Sequence, residues 1–199
     1  DMDGVQKPAS YIRPALHEAP KKVDPPTDGA LRHKGLDTSK IRSMGLNESC
    51  YPPSPKVIQA MQENLSSVNL YPDAQCPRLS DIISERTGVA LDCIVWGNGS
   101  EELLKGAIDL SLSPGQGLVL PVPTFWGYKS LVAAFEADVA EVENLPDGHT
   151  DIDGILAAIG NNTRIVFLIT PNNPSGRMVD QAGLEKIVAG VPENVLLCV

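Results

Sequence analysis

The chain is poor in the features that most quickly assign a protein to a special class. No run of its 199 residues has the apolar length needed to cross a bilayer, and no basic start leads into an apolar signal core. Only three histidines occur, His17, His33 and His149, far apart in sequence, which gives a zinc cluster little support. The four cysteines form no Cys-x-x-Cys pair, so they read as reduced thiols of a cytoplasmic protein. Positive charge is scarce: 16 Lys and Arg stand against 25 Asp and Glu, for a net charge of −9. That balance argues against a nucleic-acid surface, which needs clustered cations. Aromatics are few as well, with two Trp, four Tyr and three Phe, so any place where they gather is informative.

What is present divides into two parts. Residues 1–42 are rich in Pro, Lys, Asp and Gly without sustained periodicity. They read as an N-terminal arm or the start of a small domain, with at most a short helix around Tyr11–His17. Further on, Ser54 and Pro55 open a helix through Lys56–Asn64, and a second runs over Leu79–Arg86 and closes at Gly88.

Apolar runs then fall at Cys93–Trp96, Gly117–Pro121, Asp138–Val142, Arg164–Thr170 and Val195–Val199. Helical patterns separate them at Ser100–Ser111, Trp126–Phe135, Ile152–Ile159 and Gln181–Ala189. This alternation predicts an α/β fold, a mostly parallel sheet flanked by helices. Because VLLCV is both the last strand and the last five residues, the chain reads as cut in mid-fold.

Open parallel sheets bind ligands beyond the carboxyl ends of their strands. Four segments are worth weighing there. In WGNGSEELL, Gly97 and Gly99 allow a tight turn into a helix whose first amides suit a phosphate, although a capping box with Ser100 as N-cap has the same appearance. Glu102 stands where a dinucleotide fingerprint would have its third glycine. In LPVPTFWGY, Phe125, Trp126 and Tyr128 could stack on a flat ligand or pack their helix on the sheet. In TPNNPSG, Asn173 stands before Pro174 with little conformational freedom, as an amide donor or a turn cap. In NLYPD, Tyr71 is an exposed phenol or a loop plug.

Taken in order, L-N-E-S-C-Y-P-P-S-P at 46–55, L-Y-P-D at 70–73, G-N-G-S-E-E at 97–102, P-T-F-W-G-Y at 123–128 and N-N-P-S-G at 172–176 carry a resemblance. Residues 43–199 resemble the first half of a fold-type I, pyridoxal-phosphate-dependent aminotransferase of class I/II, closest to the histidinol-phosphate aminotransferase group. The resemblance implies that Gly99, Ser100 and Glu101 cradle the cofactor phosphate, that Phe125 stacks on its ring, and that Asn173 donates to the ring's phenolic oxygen. It also implies a homodimer in which Tyr71 reaches the neighbouring subunit's phosphate. Asn47 and Tyr128 are implied on the substrate side.

Where the family has N-E-N-P, this chain has Asn47, Glu48, Ser49 and Cys50, and Ser175 replaces the commoner Thr. The activity implied is transfer of an amino group between an amino acid and a 2-oxo acid. The same scaffold also hosts decarboxylases, β-lyases and oxidases, and a non-catalytic half-domain is a further reading. No catalytic residue is expected within the chain. The Schiff-base lysine would lie beyond Val199, and Lys105, Lys129 and Lys186 read as solvated surface cations.

Overall fold

The structure is a computed structural model that describes residues 28–42, 44–45, 47–133 and 135–199. The helix expected at Tyr11–His17 lies outside the described residues. Those described fall into two compact units, residues 28–96 and residues 97–199.

The first unit holds the helices α1 (Asp28–His33), α2 (Pro55–Asn64) and α3 (Pro77–Thr87), with short 3-10 turns at Thr38–Lys40, Leu65–Ser67 and Leu91–Cys93. Helix α2 starts as its sequence dictates: Pro55 takes the first turn and the Ser54 hydroxyl accepts from the Val57 amide at 3.3 Å. Helix α3 stops at Gly88, whose φ of 76° lets its amide turn back to the Ser84 carbonyl at 2.8 Å.

A strand expected at Cys93–Trp96 does not form. Cys93 closes a 3-10 turn and residues 94–96 pair with no strand among the described residues. The run packs on α3 instead, where the Trp96 indole donates to Ser80 Oγ at 2.8 Å and that hydroxyl donates to the Gln75 carbonyl at 2.7 Å. Here a half-buried indole finding its hydrogen-bond partner outweighs strand propensity in a short run.

The second unit is the sheet. Four parallel strands, β1 (Gly117–Val122), β2 (Asp138–Glu143), β3 (Thr163–Phe167) and β4 (Leu196–Cys198), lie in the order β2-β1-β3-β4. Helices α4 (Ser100–Ser111), α5 (Gly127–Ala133), α6 (Ile152–Ala157) and α7 (Gln181–Gly190) connect and flank them. Expected and observed ends differ by a few residues. The largest trimming at one end falls on β3, which stops at Phe167 rather than Thr170.

Strand alternation explains the two cores. Leu118 and Leu120 of β1 join Ile165 and Phe167 of β3 on one face, under Ile108 of α4 and Val132 of α5. Val119 and Val166 point the other way, with Leu168, against Ile155 of α6 and Ile187 of α7. Each is at most 1% exposed. Burying a side chain of this size contributes about 1.5–3 kcal/mol, so two dry faces hold the sheet without help from charge. Helices α6 and α7 are both started by an aspartate. Asp151 accepts from the Gly154 amide at 2.9 Å and Asp180 from the Gly183 amide at 2.8 Å.

Candidate active site

Strand order alone locates the crevice. The chain passes from β1 to β2 through α5 on one face, then from β2 back across β1 to β3 through α6 on the other. Winding therefore reverses between β1 and β3, and the space beyond their carboxyl ends is the topological switch point where such sheets bind ligands. The two loops that leave those ends are 123–126 and 168–178, which contain the P-T-F-W and N-N-P-S-G stretches.

The exit of β1 opens on a cavity of about 550 Å³ lined by Val122, Pro123, Thr124, Phe125, Trp126, Lys129, Glu143 and Asn144. Phe125 is half-buried. Its ring centroid lies 5.1 Å from that of Trp126 and 6.4 Å, edge-on, from that of Tyr128. A Cβ on Gly127 would fall 2.3 Å from the Phe125 ring, so only glycine there admits the ring in this position.

Tyr128 turns inward, its ring 5.0 Å from Phe167 at the edge of the first core. Burial, and in smaller part the Cys198 thiol, pushes its phenol above the ordinary value and keeps it protonated. Burial likewise raises Cys198.

At the exit of β3 the two asparagines separate. Asn172 is 3% exposed, and its carboxamide accepts from Thr124 Oγ1 at 2.9 Å and donates to the Pro123 carbonyl at 3.0 Å. Asn173 is exposed, and among the described residues its carboxamide makes no hydrogen bond. The polar group offered outward at this exit is therefore Asn173.

Helix α4 feeds β1 through residues 112–116, and its flank, Leu104 and Ile108, packs on the sheet. Twelve residues of helix rise about 18 Å, which returns its N-terminus toward the carboxyl side of the strands. The expectation that Ser100 caps this helix is corrected. Gly99 is the N-cap, with φ 82° and ψ 169°, and Ser100 is the first helical residue. That backbone conformation suits glycine alone, so the cap position went to the residue that could turn. The Glu102 carboxylate accepts instead from the Asn98 amide, one residue before the cap. Gly99 has no side chain with which to cap α4, and Ser100 and Glu101 stand in the first turn, at the positive end of the helix.

The other two expected site residues belong to residues 28–96. Asn47 is exposed with φ 53°, a left-handed conformation that asparagine tolerates. Tyr71 is fully exposed. The three lysines expected to be surface cations are all ion-paired: Lys105 with Asp109 at 2.5 Å, Lys129 with Glu141 at 2.7 Å and Lys186 with Asp153 at 2.5 Å.

Sequence reasoning missed Thr124, Gly127 and the structural use of Asn172. A hydroxyl and a glycine on either side of Phe125 were the available signal.

Comparison with known proteins agrees with this geometry. The sequence profile of the family "Aminotransferase class I and II" matches residues 39–199. A histidinol-phosphate aminotransferase of Halalkalibacterium halodurans is 36% identical over 178 residues, covering 89% of this chain and 47% of that protein. Another from Akkermansia muciniphila is 37% identical over 172 residues, covering 86% and 47%. The crystal structure of histidinol-phosphate aminotransferase from Sinorhizobium meliloti, in complex with pyridoxal-5'-phosphate, superposes with a TM-score of 0.82 at 25% identity, over 95% of this chain and 50% of that one. The chain thus spans about half the length of the curated relatives it matches. The profile, which matches more than half of the chain, and these relatives show that the chain belongs to the class I and II aminotransferase family.

Proposed function

We propose that the chain supplies the cofactor cradle of an aminotransferase that moves an amino group between an amino acid and a 2-oxo acid, with histidinol phosphate as the amine to test first. Family membership implies pyridoxal 5'-phosphate as the cofactor. The residues present fit that group. An uncapped helix start with a glycine at φ 82° suits a phosphate, an aromatic beside a cavity suits a ring, and an unengaged amide suits a phenolic oxygen.

When bound, pyridoxal phosphate supplies an electron sink that makes a substrate Cα–H bond acidic. The protein's own contribution is positional. The backbone amides around Gly99, Ser100 and Glu101 would anchor the phosphate, with the α4 dipole favouring its charge. Phe125 would hold the ring plane and exclude water from one side. Asn173 would donate a hydrogen bond that favours a negatively charged oxygen, lowering the pH at which the ring system gives up its proton. Tyr128 keeps its own proton and is a neutral group beside Phe125. Asn47 belongs on the substrate side in this reading. The lysine that binds the cofactor covalently is proposed to come from sequence beyond Val199, a view supported by the ion pairing of Lys105, Lys129 and Lys186.

A homodimer is part of the proposal, with Tyr71 serving the neighbouring subunit's phosphate. Its support is the full exposure of Tyr71 and an apolar stripe on α2, where Val57, Ile58 and Met61 are 44–65% exposed. A cytoplasmic location is supported by Cys50, Cys76, Cys93 and Cys198, none of which forms a disulfide. Among the described residues no helix is long and apolar enough to cross a membrane. The arm 1–42 and the cofactor-domain segment 43–199 complete the proposed organisation.

The observation that carries the proposal is the unengaged Asn173 amide at the switch point, one residue from a neighbour whose polar atoms are committed. The test is made on the full-length protein, with consumption of a 2-oxo acid measured in the presence of histidinol phosphate. Turnover that depends on added pyridoxal phosphate is expected. A full-length protein that binds the cofactor yet releases carbon dioxide, or leaves the 2-oxo acid untouched with every amine tried, would sink amino transfer.

A further inference from the structure

We propose that Asn172 and Thr124 form a positioning latch that sets Phe125 and Asn173 against each other across the β1 and β3 exits. This rests on the cradle proposed above and goes beyond it. Neither latch residue touches the cofactor; each acts through its neighbour in sequence.

The geometry makes Asn172 the most heavily bonded side chain of the crevice. Its Oδ1 accepts from Thr124 Oγ1 at 2.9 Å, while its Nδ2 donates to the Pro123 carbonyl at 3.0 Å and toward Ser175 Oγ at 3.3 Å. Its main chain closes the turn. The amide donates to the Arg177 carbonyl at 2.9 Å and the carbonyl accepts from the Gly176 amide at 2.7 Å. Both amide protons of the side chain are used, so Asn172 has no donor left for a ligand.

Burial matters as much as number. At 3% exposure the carboxamide is shielded from water, so each bond is strengthened by its surroundings and costly to leave unmade. The bonded partners are 48 and 49 residues apart in sequence, so the latch ties one loop to the other across the sheet. Directly after Thr124 comes Phe125, and directly after Asn172 comes Asn173. A change of a few tenths of an ångström in the latch therefore moves the ring face and the amide donor relative to each other, while the sheet below stays in place.

The decisive variant is Thr124→Val, which keeps the branched shape and removes the hydroxyl donor. It is compared on the full-length holoenzyme with Thr124→Ser, Asn173→Ala and the double variant Thr124→Val/Asn173→Ala. Two quantities are read beside the melting temperature: the dissociation constant for pyridoxal phosphate and the pH midpoint of its visible absorption change. Loss of a single donated hydrogen bond at Asn173→Ala should weaken cofactor binding about tenfold and raise the midpoint. Thr124→Val should move both in the same direction, with binding about threefold weaker, because its effect passes through a bond that survives in poorer geometry. Thr124→Ser should restore the wild-type midpoint. The double variant should match Asn173→Ala alone in its pH midpoint, since with the amide gone no donor remains to be positioned.

If Asn173→Ala shifts the midpoint and Thr124→Val does not, the latch is wrong and the cradle stands. If Asn173→Ala leaves the midpoint in place, the cradle reading fails and the latch fails with it. A Thr124→Val protein that melts earlier but titrates like wild type shows a purely structural bond and overturns the proposal.

Discussion

The two units treat their apolar side chains in opposite ways. In residues 97–199 the strands bury both faces against helices of the same unit, and every buried hydrophobic residue among those described lies there. Among the described residues of 28–96 the only buried one is Ser80. Val57, Ile58, Met61, Leu65, Val68 and Leu70 remain open, five of them at least half exposed. The sheet unit is thus held by its own core, whereas residues 28–96 carry an apolar surface in search of cover. Caps and 3-10 turns give them local shape, yet local shape alone contributes little stability.

Breaking the sheet core should have the largest effect. Phe167→Ala is expected to cost about 3–5 kcal/mol in denaturant unfolding, because Phe167 is 1% exposed and lies between Tyr128 and the α4 and α5 contacts. Next comes Gly127→Ala. The added methyl must displace the Phe125 ring at an expected cost of about 1–3 kcal/mol, with weaker cofactor affinity as the accompanying sign. A smaller change, about 1 kcal/mol, is expected for Ser54→Ala, which removes the α2 cap. Hydrogen exchange should localise that loss to α2 and leave β1 and β3 protected.

Met61→Glu sharpens the contrast from the other side. Its side chain is 65% exposed, so monomer stability should change by less than about 0.5 kcal/mol. If the α2 stripe is a subunit contact, sedimentation should instead show a shift from dimer to monomer. An unchanged assembly would place the contact elsewhere.

The smallest effect is a pH dependence. Burial raises the folded-state value of Tyr128 above that of a free phenol, so its share of stability is intact below about pH 10. That share is lost as pH rises through the folded value. Tyr128→Phe should flatten the alkaline limb of a stability-versus-pH curve and leave neutral pH nearly unchanged.

Much of this was legible because burial on two faces writes itself as short apolar runs. Strands β1 to β4 and helix α4 lie where periodicity places them, and Ser54 and Gly88 marked their helix ends. The run at 93–96 misled because its period suits a strand while its indole had a better partner in Ser80. Ser100 misled because a serine before two glutamates resembles a cap, although a neighbouring glycine could adopt the φ the turn needed. At the site, Phe125 and Asn173 could be singled out from their setting between prolines and aromatics. The burial of Asn172 could not, because Thr124 and Pro123 lie 48 and 49 residues away and reach it only through the pairing of β1 with β3.

The Pro123 carbonyl accepts two carboxamides at 3.0 Å, one from Asn172 on the β3 exit and one from Asn144 on the β2 exit. Arg177 adds a further tie, its Nε donating to the Asp147 carbonyl at 3.1 Å. Proline has no amide proton, so this one oxygen is all the polar main chain that position owns, and both its lone pairs are spoken for. The exits of three strands therefore share a single joint. An engineer who grafts a loop from a relative onto any one of them inherits an obligation to the other two, and exchange of all three as a set is the graft that keeps the joint whole.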